Sequence, residues 1–171
     1  AAMQSLTKGP FTFKGYYPSY FMAEFCRRIP QAVFVITRRE SVQRQAESLY
    51  EARITYHGTA DIWHSMHPPR INELMELSPE DQIAGQIFGL NAYFDEQIEA
   101  AGTDIRAINV SYQSFIEEPD ATMEMIGDRI EAYTGTHLGR TGVSPIIRER
   151  KRVSIPDSVA QRLSEALKWY D

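Results

Sequence analysis

The sequence predicts an α/β fold built on a parallel sheet, and three features carry that expectation. Two short apolar runs, Ala32 to Ile36 and Ile105 to Val110, have the length and β-branched content of buried strands. Segments with helical start and stop signals lie between and after them. The resulting order of strand, helix, long helix, strand and helix suits parallel pairing, because parallel neighbours need a long crossover connection.

Each element has a local cause. The run Ala32-Val33-Phe34-Val35-Ile36 is apolar throughout, as expected of a strand covered on both faces. Ser41 can accept a hydrogen bond from a free first-turn amide, so a helix is expected from Val42 to about Arg53, a stretch without Gly or Pro. Residues 57–70 read as a loop carrying Gly58, Pro68 and Pro69. Ser78-Pro79-Glu80-Asp81 opens a second helix with a cap, a proline at the first position and acids at the positive dipole end. That helix is expected to reach about Ala101 and stop at Gly102. A third helix spans Asp120 to Thr134 and stops at Gly135. Residues 136–155 read as irregular, and a last helix runs from Pro156 to Tyr170 with Ser154 or Asp157 near its cap.

Composition narrows the function classes. At 171 residues the chain fits one domain, and 43% hydrophobic with 24% charged residues matches a soluble globular protein. No apolar run approaches the roughly 20 residues of a membrane helix, and the first residues do not form a signal peptide. A single cysteine, Cys26, cannot form an internal disulfide; it reads as a small buried hydrophobe in a reducing, cytoplasmic setting. The net charge of −5 argues against a general nucleic-acid binder. Oligomeric state is not readable. Basic residues nevertheless cluster, as Arg38, Arg39 and Arg44 and again as Arg148, Arg150, Lys151 and Arg152. Two such clusters either converge on one anionic ligand or form separate solvated faces.

Thr37 to Ser41 lies at the carboxyl end of the first strand, where open α/β sheets bind their ligands. Guanidinium forks at Arg38 and Arg39 can hold phosphate oxygens bidentately, and the helix start beyond Ser41 adds free amides. Ser48, two turns into that helix, is a further candidate. The competing reading pairs these arginines with acids such as Glu40 or Glu47. A second constellation is His57, His64 and His67 with Asp61, which would suit a metal-dependent hydrolase. Its spacing falls in a proline-containing loop with no cysteine, which is poor for zinc. Lining an acceptor site, with Trp63 as an apolar wall, is the alternative use.

Four blocks of sequence resemble sulfotransferases, in family order and over almost the whole chain. Arg38-Arg39 followed by Arg44-Gln45-Ala46-Glu47-Ser48 is similar to a run in bacterial glycolipid sulfotransferases, with one extra residue upstream. In the family, an arginine after a core strand and a serine on the next helix hold the 3′-phosphate of the sulfuryl donor. Arg39 and Ser48 match that pair with one additional residue between them, and Gln45 is the substitute at that face. Thr7-Lys8-Gly9-Pro10-Phe11-Thr12-Phe13-Lys14 resembles a segment of tyrosylprotein sulfotransferases, which implies that Lys14 sits at the reacting centre. Tyr16 stands where cytosolic members carry a histidine base. Ile108 to Phe115, then Pro119, resembles the strand-end segment whose tyrosine contacts the nucleotide, implying that role for Tyr112; Gln113 replaces the usual glutamate. Ser144-Pro145-Ile146-Ile147-Arg148 resembles a tyrosylprotein block, implying Ser144 at the sulfate and Arg148 in a second basic wall.

The resemblance implies a P-loop-type sulfotransferase fold, a parallel sheet flanked by helices. It implies transfer of a sulfuryl group from 3′-phosphoadenosine 5′-phosphosulfate (PAPS) to an acceptor hydroxyl, with no metal. The family's N-terminal strand, glycine-rich loop and helix for the 5′-phosphosulfate have no counterpart in these residues. The chain alone is therefore expected to bind donor weakly and turn over poorly. A non-catalytic binding module on the same scaffold is the alternative, and carbohydrate, lipid and peptide acceptors all remain open.

Overall fold

A computed structural model describes residues 11, 12, 14–102, 105–139, 142 and 154–170. Its described part is mixed α/β, mostly helical, with one parallel strand pair. Helices α1 (Tyr17–Tyr20) and α2 (Met22–Arg28) precede strand β1 (Phe34–Arg38) and helix α3 (Val42–His57). Helices α4 (Ile71–Leu74) and α5 (Pro79–Ala101) lead to strand β2 (Ala107–Ser111). Helices α6 (Tyr112–Glu117), α7 (Pro119–Thr134) and α8 (Asp157–Leu167) complete the order. Strands β1 and β2 pair in parallel from Phe34↔Ala107 to Arg38↔Ser111, so α3 and α5 form the crossover.

The core sits where α3, α5 and α8 meet. Ala46, Ile83, Ala84, Ile87, Val159, Leu163, Ala166 and Leu167 are buried together there. Positions 159, 163, 166 and 167 recur at helical spacing, which gives α8 one continuous apolar stripe. Beyond it, Tyr170 stacks on Phe88 of α5, with ring centroids 5.3 Å apart. Along its other flank α5 receives α1 and α2; the Tyr93 hydroxyl donates to the Tyr20 carbonyl at 2.8 Å, and the two rings lie 5.8 Å apart. Cys26 of α2 is buried, as expected.

Polar groups are buried in the same layer and serve as fasteners. Arg53 of α3 is fully enclosed, and its Nη1 donates to the Ala60 carbonyl at 3.0 Å and to Gln82 Oε1 at 2.8 Å. Its Cζ lies 5.1 Å from the centre of the Trp63 ring. One turn along α5 from Gln82, Gln86 Nε2 donates to the carbonyls of His64 and Met66 at 2.9 and 2.8 Å. The loop after α3 is thereby tied to α5 through its own backbone, which satisfies carbonyls that burial would otherwise strand. Glu80 of α5 accepts from Arg162 of α8 at 2.8 Å.

The element boundaries follow the expected signals with instructive shifts. Ser41 and Ser78 cap their helices, each accepting from the backbone amide three residues on at 3.2 Å. Gly58 and Gly135 end α3 and α7 with φ of 76° and 69°, a conformation that costs glycine nothing. Helix α3 passes the expected end near Arg53 because nothing before Gly58 stops it, and docking of Arg53 onto α5 outweighs the weak propensity of Ile54, Thr55 and Tyr56. Strand β1 begins two residues later than the apolar run suggests, since pairing starts where the Phe34 amide donates to the Arg106 carbonyl. It is also less enclosed than expected: Phe34 packs edge-on against Phe25, while Val35 on the opposite face is 45% exposed. Helix α8 starts at Asp157 after Pro156, and neither Ser154 nor Asp157 supplies a side-chain cap bond. Among the described residues no helix is long and apolar enough to cross a membrane.

If α8 closes the core as this packing implies, Leu163→Ala leaves a cavity among three helices. It should lower unfolding free energy by about 2–5 kcal/mol in a urea titration. A loss below about 1 kcal/mol would contradict the docking of α8.

Candidate functional site

The register of the two strands brings the expected ligand-binding residues to one edge. Because Arg38 pairs with Ser111, the residues that follow each strand, Arg39 and Tyr112, emerge side by side at the carboxyl ends. Arg39 lies over Tyr112, its Cζ 4.4 Å from the ring centre. Such stacking holds a guanidinium flat and leaves its N–H edge for an anion. Among the described residues no carboxylate pairs with Arg39; its Nη1 makes only a long 3.5 Å approach to the Arg44 carbonyl. Arg38 behaves differently. It ends β1 rather than following it, and it forms a salt bridge with Asp95 of α5. One of the two arginines is thus engaged by an acid, and the other has no acidic partner among the described residues.

A second bridge runs beside the first. Ser111 Oγ donates to Glu40 Oε1 at 2.6 Å and accepts from the Ser114 amide at 3.1 Å. Ser111 is therefore both the last residue of β2 and the N-cap of α6, a short helix that the sequence reading did not include. Glu40 and Ser111 were missed as site residues. A serine three positions before an open amide at a strand end was the available signal for the cap; nothing in the sequence pattern paired it with Glu40.

The other expected residues scatter. Ser48 lies on α3, partly exposed, about 10 Å along the helix axis from its capped start. Lys14 is exposed, with its Nζ 5.9 Å from the Tyr16 ring centre, and no described contact links it to Arg39 or Tyr112. Ser144 and Arg148, with Arg150, Lys151 and Arg152, lie outside the described residues.

The histidines divide into a pair and a single. His57 ends α3, about 24 Å along that helix from the Arg39 end. Its Nε2 lies 3.3 Å from His64 Nδ1, and His64 stacks on Tyr56 with rings 4.9 Å apart. His67 instead packs edge-on against Trp63 at 5.6 Å, and its carbonyl accepts from the Tyr20 hydroxyl at 2.6 Å. Among the described residues no group of three or more His, Cys, Asp or Glu is placed to hold a metal ion. Burial, the neighbouring His57 and the Arg53 charge together push His64 below the usual imidazole range. Burial likewise lowers Arg53, opposed by Asp61 and Glu80.

No family model, curated protein or solved structure matches the chain. The strand-end geometry therefore carries the functional argument with the sequence motifs.

The histidine pair generates a pH expectation. Since His64 is lowered on folding, the unfolded chain takes a proton first, near pH 6.5. The stability tied to neutral His64 is full above about pH 6.5 and is lost as pH falls through that value toward the folded one. His137, raised by its hydrogen bond to Glu131, has the opposite sign, but it is fully exposed and screened by salt. At moderate salt, His64→Gln should shrink the drop in Tm between about pH 7.5 and about pH 5.5. An unchanged drop would contradict the assignment of this titration to His64.

Proposed function

We propose that the chain binds the 3′-phosphoadenosine portion of PAPS at the carboxyl ends of β1 and β2 and belongs to a sulfotransferase. The single observation that carries this reading is Arg39 lying on Tyr112 at 4.4 Å. Those residues come from separate blocks, each resembling a nucleotide-contacting segment of sulfotransferases, and the strand pairing makes them neighbours. A guanidinium with no described carboxylate partner, beside a capped helix start, has the chemistry of a phosphate site.

In this reading Arg39 holds the 3′-phosphate and the second face of Tyr112 takes the nucleotide. Arg38 joins once the anion competes with Asp95, while Ser48 or Gln45 serves the phosphate from α3. Arg148 belongs to the second basic wall. The sulfuryl group moves in line: its bond to the bridging phosphate oxygen breaks as a bond to the acceptor oxygen forms, and the acceptor proton passes to a base. Charge grows on the bridging oxygen as it leaves, and Lys14 is the cation assigned to stabilise it, with Ser144 at the sulfate. The chemistry requires no metal. The acceptor is a hydroxyl of unassigned class.

Thermal unfolding with 3′-phosphoadenosine 5′-phosphate tests the donor site. Ligand at 100 times its Kd should stabilise the chain by about 2.7 kcal/mol. Arg39→Ala should weaken binding by roughly 10- to 100-fold, the loss of a charge-assisted bidentate contact. No shift in the wild type would overturn the reading, and equal shifts in both would move the site away from β1.

A further inference from the structure

A carboxylate stands where a phosphate site would ordinarily avoid one. Glu40 lies between Arg39 and the helix cap Ser41, at the carboxyl end of β1. It does not turn away from the strand ends. Its Oε1 receives the 2.6 Å hydrogen bond from Ser111 across the sheet, and Ser111 is itself fixed by the Ser114 amide. Adjacent residues thus make two crosslinks between the strand ends, Arg39 to Tyr112 and Glu40 to Ser111. The α-carbons of Arg39 and Glu40, like those of Ser111 and Tyr112, are about 3.8 Å apart, so the guanidinium and the carboxylate are anchored at neighbouring positions of one sheet edge. Among the described residues Oε2 of Glu40 has no hydrogen-bond partner.

The geometry points to Glu40 as the residue that selects the sugar: its Oε2 accepts from the ribose 2′-hydroxyl next to a 3′-phosphate held by Arg39. This assignment rests on the nucleotide reading above. An ionised carboxylate only accepts hydrogen bonds, and it repels a bare anion. A phosphoribose brings a hydroxyl donor together with its negative charge, whereas sulfate at neutral pH brings charge and acceptors alone. Glu40 therefore lowers affinity for simple anions and restores it for a ribonucleotide, so selectivity comes from rejection as much as from attraction. Sheets that bind dinucleotides use an acidic residue on a ribose hydroxyl in the same chemical sense.

Calorimetric titration of the full chain tests this with three probes: 3′-phosphoadenosine 5′-phosphate, its 2′-deoxy counterpart and inorganic sulfate. The wild type should prefer the ribonucleotide over the deoxy form on the order of tenfold, the worth of a hydrogen bond to a charged group. Glu40→Gln should lose most of that preference and bind inorganic sulfate more tightly than the wild type. Ser111→Ala, which frees the carboxylate without altering charge, should also reduce the preference. A preference retained in Glu40→Gln would overturn the assignment, as would equal tightening toward all three probes. Equal binding of ribo and deoxy forms by the wild type would defeat the Glu40 role and leave the nucleotide site standing. Binding of neither nucleotide would defeat both.

Discussion

Parallel pairing of β1 with β2 is the constraint on which the site depends. The register sets Arg38 opposite Ser111, and from that alone Arg39 must emerge beside Tyr112 and Glu40 near the α6 cap. An antiparallel pair would send the two segments to opposite ends of the sheet. Parallel pairing in turn demands a crossover long enough to return the chain, and α3 and α5 supply it. The placement of Arg39 beside Tyr112 is therefore inseparable from the burial of those helices.

Helix α5 is the element that makes the crossover rigid. It is packed by α3 and α8 around Ile83, Ala84 and Ile87, and it meets α1 and α2 along its other flank. It also takes part in the site through Asp95, which engages Arg38. At its opposite end Gln86 holds the loop after α3 by the carbonyls of His64 and Met66, and Gln82 accepts from Arg53, which is enclosed beneath Trp63. The Arg39–Tyr112 edge and the histidine pair therefore lie at opposite ends of one crossover. An exposed surface ion pair such as Arg38–Asp95 contributes little to stability.

Local chemistry was the legible part of the sequence. Ser41 and Ser78 announce their helices because a hydroxyl before an apolar periodic segment satisfies a free amide, and Gly102 and Gly135 announce the stops. Arg39 was legible as an arginine following an apolar run. What the pattern could not contain was register. The start of β1 at Phe34 depends on a partner strand 73 positions on, at Ala107, and no local feature distinguishes Phe34 from Ala32 as the first paired residue. The Glu40–Ser111 bridge, between residues 71 apart, was invisible for the same reason. Helix α6 was hidden because Ser111 and Tyr112 read equally well as the end of a strand. The histidines were proposed as a group by proximity in sequence; tertiary packing joins His57 to His64 and sends His67 to Trp63.

In the proposed site Arg39 and Tyr112 act on the nucleotide as one unit, because the guanidinium is oriented by the ring beneath it. A double-mutant cycle measures that directly, using binding of 3′-phosphoadenosine 5′-phosphate to the wild type, Arg39→Lys, Tyr112→Leu and the double variant. Contacting residues in one site should couple by about 0.5–3 kcal/mol, so the double variant should lose less than the sum of the single losses. Strictly additive losses, or binding untouched by either substitution, would contradict the account.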